Sequence, residues 1–241
     1  MQSGRIQAAR KETVMKFENA QTGGITQETI TSKLIRSLRE DILSGRIPEG
    51  THIGVKDISE RYGVSNMPVR EAFFTLSAEK LIEMSPYKGA TVLPVNERFI
   101  IDNYEILECL ESLLARTALP HIGAEEIERL QEINRRIWTL EDTRFGQEEY
   151  TRLNHMLHDI IYRRSPNEHA YERYNYYHGM MMVLWVNYTR MLDRMQQAAG
   201  EHDAIIAALA AKDELALEQA IRRHSSHAKD NYMKQRDNKK K

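Results

Sequence analysis

Gly63-Val64-Ser65-Asn66-Met67-Pro68-Val69-Arg70-Glu71-Ala72 is the stretch on which the reading of this chain turns. Before it, Val55, Ile58 and Tyr62 mark a short amphipathic helix, and after its opening Val69, Ala72, Phe73 and Leu76 mark a second. Gly63 separates the two and can take the positive φ that a tight turn between helices requires. Val64 anchors the turn, and Ser65 is the expected N-cap. Pro68 is tolerated because first-turn amides have no intrahelical partner. Two short helices joined by such a turn read as a helix-turn-helix, with the second helix small enough for a DNA major groove. Its inward residues leave Asn66, Met67, Arg70 and Phe74 or Thr75 facing outward or sideways.

The neighbouring sequence completes a winged unit. Ile30, Leu34, Leu38, Ile42 and Leu43 lie on one stripe of a helix expected from Thr26 to Ser44, with Gly45 as its C-terminal signal. Thr51 to Gly54 suggests a short strand. Leu81-Ile82-Glu83-Met84 and Ala90-Thr91-Val92-Leu93 suggest two more around Ser85-Pro86-Tyr87-Lys88-Gly89. Lys56, near the start of the first short helix, is placed for a backbone phosphate, and Tyr87, Lys88 and Gly89 at the wing tip for the minor groove. Beyond Pro94 every periodic stretch is helical, and about six helices form an all-α bundle. Breaks are expected at Pro120 to Gly123, Phe145-Gly146, Ser165-Pro166-Asn167, Ala199-Gly200 and Lys212-Asp213. The fold class is therefore mostly α: an N-terminal winged helix-turn-helix plus a C-terminal all-α helical bundle. The expected division is a flexible arm over 1–25, a DNA-binding domain over 26–95, a helical effector-binding and dimerisation domain over 96–232, and a basic disordered tail over 233–241.

The bulk numbers narrow the class further. Length 241, 41% hydrophobic and 29% charged residues suit two soluble domains with separate cores. A net charge of -1 means that contact with nucleic acid rests on a local patch. Residues 1–95 carry two more basic than acidic residues and the remainder three more acidic than basic, a sign that favours DNA contact at the N-terminal end. The single Cys109 forms no intrachain disulfide, in keeping with a reducing cytosol. No secretory h-region or membrane-length apolar run is evident, so a cytoplasmic location without membrane contact is expected.

The run Gly63 to Ala72, followed by Leu76 and the hairpin ending Lys88-Gly89-Ala90-Thr91-Val92, resembles the GntR family of bacterial regulators. The resemblance implies a transcription regulator, a repressor, that binds a short palindromic operator as a homodimer. Its DNA-contacting set would be Lys56, Ser65, Asn66, Met67, Arg70, Tyr87, Lys88 and Gly89. Asn66 stands where the family commonly has an Arg that reads guanine, and Asn favours adenine. Arg70 matches the second family Arg.

In the helical half, Asn154 and His158 are four apart on one helix face, so both can reach one ion. His202 is expected to open a helix after Gly200-Glu201, and His224 lies on the last helix. Imidazole suits a divalent transition ion such as zinc or nickel, and three His with one oxygen leave positions for water or an effector. Accidental helical His pairs, such as His155/His158 and His224/His227, are the competing reading of the spacing. Here the chain is similar to the FadR-type subfamily, whose helical ligand-binding (FCD) domain often carries an Asp, a His four residues on, and two further His. The similarity implies Asn154, His158, His202 and His224 as metal ligands and a small-molecule effector, an organic acid. Asn154 replaces the usual Asp, and Leu107 stands where many relatives carry an effector-binding Arg. The Met180-Met181-Met182 stripe reads as core or dimer surface. A metal-dependent enzyme built on the same His residues is the alternative, although the sequence has no HExxH, Gly-rich phosphate loop or nucleophile elbow.

Overall fold

The computed structural model describes residues 29–85, 88–185 and 192–239. The expected arm over 1–25, the helix start at Thr26 and the wing-tip Tyr87 lie outside the described residues. From Thr29 onward the elements are α1 (Ile30–Leu43), β1 (His52–Ile53), α2 (Val55–Tyr62), α3 (Asn66–Ala78), β2 (Ile82–Ser85) and β3 (Gly89–Val92). They continue with α4 (Glu97–Ala118), a 3-10 turn (Leu119–His121), α5 (Ala124–Trp138), α6 (Arg144–Tyr162), α7 (Glu168–Trp185), α8 (Leu192–Ala211) and α9 (Glu214–Lys239).

The N-terminal head is a winged helix-turn-helix. Thr29 caps α1 by accepting the Ser32 amide at 3.0 Å. Gly63 takes φ 65° and closes α2 in the left-handed conformation. Ser59 then locks the turn, its hydroxyl donating to the Val64 carbonyl at 2.6 Å and its carbonyl accepting the Val64 amide at 3.1 Å. Val69, Ala72, Phe73 and Leu76 of α3 are completely buried against Leu34, Leu38 and Ile42 of α1. The sheet runs in the order β1-β3-β2, antiparallel, with Ile53 opposite Ala90 and Ser85 opposite Gly89. Asp41 on α1 ties the helix-turn-helix to this frame. Its carboxylate accepts from Tyr62 Oη at 2.5 Å, Arg61 at 2.9 Å and Arg46 at 2.5 Å.

The C-terminal half is the all-α bundle. α4 packs on α9, α7 and α6, while α5 packs on α8 and α6 and α9 on α8. Three expected boundaries move. The break assigned to Phe145-Gly146 falls earlier, because Thr143 caps α6 through the Gly146 amide at 3.0 Å. Gly146 is then required in the first turn, where a Cβ would collide with the Glu141 carbonyl oxygen. No break occurs at Ala199-Gly200. Gly200 lies inside α8 and faces the Trp138 ring, which an added Cβ would meet at an ordinary 3.8 Å, so neither a turn nor tight packing requires a glycine there. Met233 onward, expected as a disordered tail, continues α9 to Lys239, anchored by buried Tyr232, which packs on Trp185 and Tyr104. The break at Lys212-Asp213 is present, with Lys212 at φ 56° and Nζ donating to the Leu119 carbonyl at 2.7 Å.

Head and bundle meet where α1 crosses α7. Arg39 forms a fork on Glu79 at 2.8 and 2.6 Å, and its guanidinium lies over the Tyr176 ring 5.1 Å from the centroid. Glu79 is the residue that ends α3.

Candidate nucleic-acid interface and candidate metal centre

α3 buries one face and exposes the other. Asn66, Met67, Arg70, Glu71 and Phe74 form a continuous exposed strip along it. Arg70 has no ion-pair partner among the described residues, because the carboxylate beside it is already engaged: Glu71 accepts Thr31 Oγ1 of α1 at 3.0 Å. Ser65 occupies the N-cap position with extended backbone, yet its hydroxyl makes no capping bond. The reason lies in the sequence. Pro68 fills the third helical position and has no N–H to donate, so the expected cap partner is missing. The Ser65 hydroxyl and the first amides of α3 are thereby left to an external acceptor. Lys56 is exposed on α2 and makes only a loose exposed pair with Glu60 at 3.8 Å. Lys88 is exposed at the wing. Gly89 opens β3 at φ 101°, where a Cβ would collide with the Ile53 carbonyl oxygen, so its first duty is conformational.

The second site is inside the bundle. α6 supplies Asn154 and His158, α8 supplies His202 and α9 supplies His224. His202 sits mid-helix, not at a helix start as expected from Gly200. The three imidazoles converge, with ring centroids 5.3, 4.9 and 4.9 Å apart and one ring nitrogen of each within 4.8 Å of the others. All three are buried.

Each ring is oriented by partners that sequence spacing could not reveal. His202 Nδ1 donates to Asn134 Oδ1 at 3.1 Å. Asn134 is fixed in that orientation because its amide nitrogen donates to the Ala199 carbonyl at 2.9 Å and to Asp203 at 2.7 Å. His202 Nε2 is therefore the lone-pair nitrogen, and it is buried without a partner. His224 Nδ1 donates to Glu201 Oε2 at 2.7 Å, again leaving Nε2 free. Glu201 also receives Arg194 at 2.8 Å and His227 Nδ1 at 2.7 Å. Burial alone would raise the Glu201 carboxyl, but the His224 hydrogen bond and the Arg194 charge hold it at about 2. Burial pushes His158 and His202 well below the ordinary imidazole value, and the neighbouring cationic forms push the same way, so both rings are neutral at pH 7.

The three imidazoles thus converge in a buried site, and Asn154 lines the same cavity as His158 and His224. Asn154 Oδ1, His158 Nδ1 and His202 Nε2 are all buried without a hydrogen-bond partner. Orphaned buried polar atoms are costly, and an electropositive ion would satisfy the cluster together. The donor set of neutral imidazoles plus one amide oxygen suits a transition ion, so the residues fit a divalent metal. A cavity of about 90 Å³ opens beside them, bounded by Leu107, Glu111, Tyr150, Met181, Trp185 and Arg194. Leu107, where the family pattern has Arg, is a buried apolar wall. Glu111 is buried in the same wall, accepting the Ser225 hydroxyl, and burial pushes it up to about 7. Asn134, Arg194, Glu201 and Glu111 were missed by sequence reasoning. Only Glu201 carried a signal, its adjacency to His202.

The comparisons agree with both halves. The pattern of "Bacterial regulatory proteins, gntR family" matches residues 30–92 and that of the FCD domain residues 102–227. The chain is 30% identical over 105 residues to the HTH-type transcriptional repressor RspR of Escherichia coli, covering 44% of this chain and 46% of that protein. It thus spans about half the length of the first curated relatives it matches. It is 26% identical over 210 residues to a probable D-xylose utilization operon transcriptional repressor of Paenarthrobacter nicotinovorans, covering 83% and 87% of the two chains. Among solved structures, E. coli McbR/YncC superimposes with a TM-score of 0.62 at 19% identity over 86% of this chain and 98% of that one, a likeness of fold. With a GntR helix-turn-helix at residues 30–92 and an FCD domain over 102–227, the chain belongs to the GntR family of bacterial regulatory proteins.

Proposed function

We propose that the protein is a DNA-binding transcription regulator, a repressor, whose head over 26–95 reads a short palindromic operator and whose helical domain over 96–232 binds a small-molecule effector beside a divalent metal. The observation that carries the reading is the exposed strip of α3, with Arg70 unpaired at its centre and Ser65 and the first amides of α3 uncapped. A homodimer presents two such helices, and half-sites one helical turn, about 34 Å, apart fit that symmetry. Lys56, Ser65 and Lys88 contact phosphates; Asn66, Met67 and Arg70 face base edges; Gly89 belongs to the wing, and Tyr87, outside the described residues, completes the proposed DNA-contacting set.

In the bundle, Asn154, His158, His202 and His224 hold the ion, and Glu201 and Asn134 fix the imidazoles. A bound divalent ion would supply an electrophilic position for an oxygen of the effector, an organic acid. With Leu107 in the wall, no arginine from that point of α4 meets the acid, and a bound ion would take that role. The donor set and the orphaned buried atoms support this reading. The relatives' names speak for regulation and not for a metal-dependent enzyme.

Footprinting of the full chain on neighbouring intergenic DNA tests the first part. A short two-fold site is expected, weakened by about 1–3 kcal/mol per half-site in Arg70→Ala. Absence of sequence-selective protection at moderate salt would refute it. For the ion, elemental analysis of chelator-free protein purified without a metal column is decisive. Less than about a tenth of an equivalent per chain, with no thermal shift on adding zinc or nickel, would rule the site out.

A further inference from the structure

The strip that α3 exposes is more apolar than hydrogen-bonded base reading requires. Met67 is 66% exposed and Phe74 is 67% exposed, and both stand on the face that carries Asn66 and Arg70. Single exposed apolar residues are ordinary. Two large ones flanking an unpaired arginine on one helix face are a patterned surface. The opposite face cannot account for them, because Val69, Ala72, Phe73 and Leu76 already fill the core completely.

Helical rise gives the patch its reach. From Asn66 to Phe74 the helix advances about 12 Å, comparable with the major-groove width of about 12 Å. A helix seated through Asn66 and Arg70 therefore carries Phe74 across the groove. One turn separates Phe74 from Arg70, about 6 Å along the axis, or roughly two base steps. The apolar group that B-DNA presents in the major groove is the thymine C5-methyl.

We propose that Phe74, flanked by Met67, is a specificity-determining residue that packs on thymine methyl groups of the operator, about two base steps from the pair that Arg70 reads. The inference rests on the recognition face described under the proposed function. It makes the operator rich in A·T at that position and sensitive to a group that takes no part in hydrogen bonding.

The test uses the full-length protein and the footprinted operator, resynthesised with deoxyuridine in place of thymidine one position at a time. This change removes the methyl and leaves every hydrogen-bonding group intact. The expected result is a symmetric pair of positions at which deoxyuridine weakens wild-type binding about fourfold per half-site, the worth of one buried methyl. Phe74→Ala should bind the thymidine and deoxyuridine operators equally, near the wild-type affinity for the latter. Because Phe74 is exposed, the variant should keep the wild-type circular dichroism melt. Wild-type indifference to deoxyuridine at every position would overturn the proposal. So would a Phe74→Ala variant that retains the deoxyuridine effect, or one weakened alike on both operators. If Arg70→Ala itself binds normally, the recognition face falls and this inference with it. If Arg70→Ala binds weakly while Phe74→Ala retains the methyl effect, only this inference falls.

Discussion

Glu201 concentrates the residue-scale lessons. It orients His224, holds His227 and neutralises Arg194, although no motif marked it. Removing a partner that fixes a ligand's tautomer commonly costs ten- to a hundredfold in ion affinity. Glu201→Gln keeps the shape but can offer the three donors only one carbonyl oxygen. Zinc titration against a competing chelator should show an affinity about 10–100-fold weaker than wild type. An unchanged affinity would mean that His224 needs no such support. A second prediction concerns Gly146. Alanine there meets the Glu141 carbonyl and forces the Thr143 cap apart, so urea melts should show a loss of about 1–3 kcal/mol, as for other overpacked positions. Gly200→Ala, facing Trp138 at ordinary contact distance, should be neutral or mildly stabilising.

The contrast between those two glycines explains what was legible at the scale of elements. Gly63, Val69, Ala72 and Leu76 were readable because the turn and the period that use them are local, and α2, the turn and α3 fall where that pattern placed them. Gly200 looked like a helix end because glycine is a common stop signal, whereas the helix runs through it to Ala211 under packing from Trp138, 62 positions away in sequence. The His cluster was readable as residue types, yet its geometry was not: Asn134 meets His202 across 68 positions. Ser65 shows the opposite limit, since the cap it promised is cancelled by a proline only three residues on. Within the head, Asp41 joins α1 to α2 and to the loop before β1. Burial would raise its carboxyl, but Tyr62, Arg46 and Arg61 hold it below the ordinary carboxylate value. A depressed folded pKa contributes stability that is complete above the unfolded value near 4 and is lost as pH falls through the folded one. Asp41→Asn should therefore cost the head about 1–2 kcal/mol at pH 7 after allowance for its half-exposed arginine partners. Its melting temperature should also fall less than that of wild type between pH 5 and pH 3. Parallel acid curves for the two proteins would contradict this.

For the whole molecule, the decisive joint is between head and bundle. Arg39, Glu79 and Tyr176 form one clasp, with Arg39 and Glu79 largely buried. Tyr176→Ala removes the ring beneath Arg39, a half-buried side chain packed at the edge of the core. Calorimetry of the variant should resolve two transitions where the wild type melts as one, and a single unchanged transition would show that the clasp carries no coupling. Among the described residues no helix is long and apolar enough to cross a membrane. α7 itself has two occupations. His178, Met181 and Trp185 form part of the cavity wall beside the His cluster, while Tyr176, less than one turn before His178, lies under Arg39 and next to the end of α3. An α-helix is stiff over such a length, so it works as a beam with the cavity at one bearing and the reading head at the other. On the proposed function, a ligand that shifts this wall would shift the Arg39 side of the same helix, and a signal between the two would need no moving part longer than a single helix.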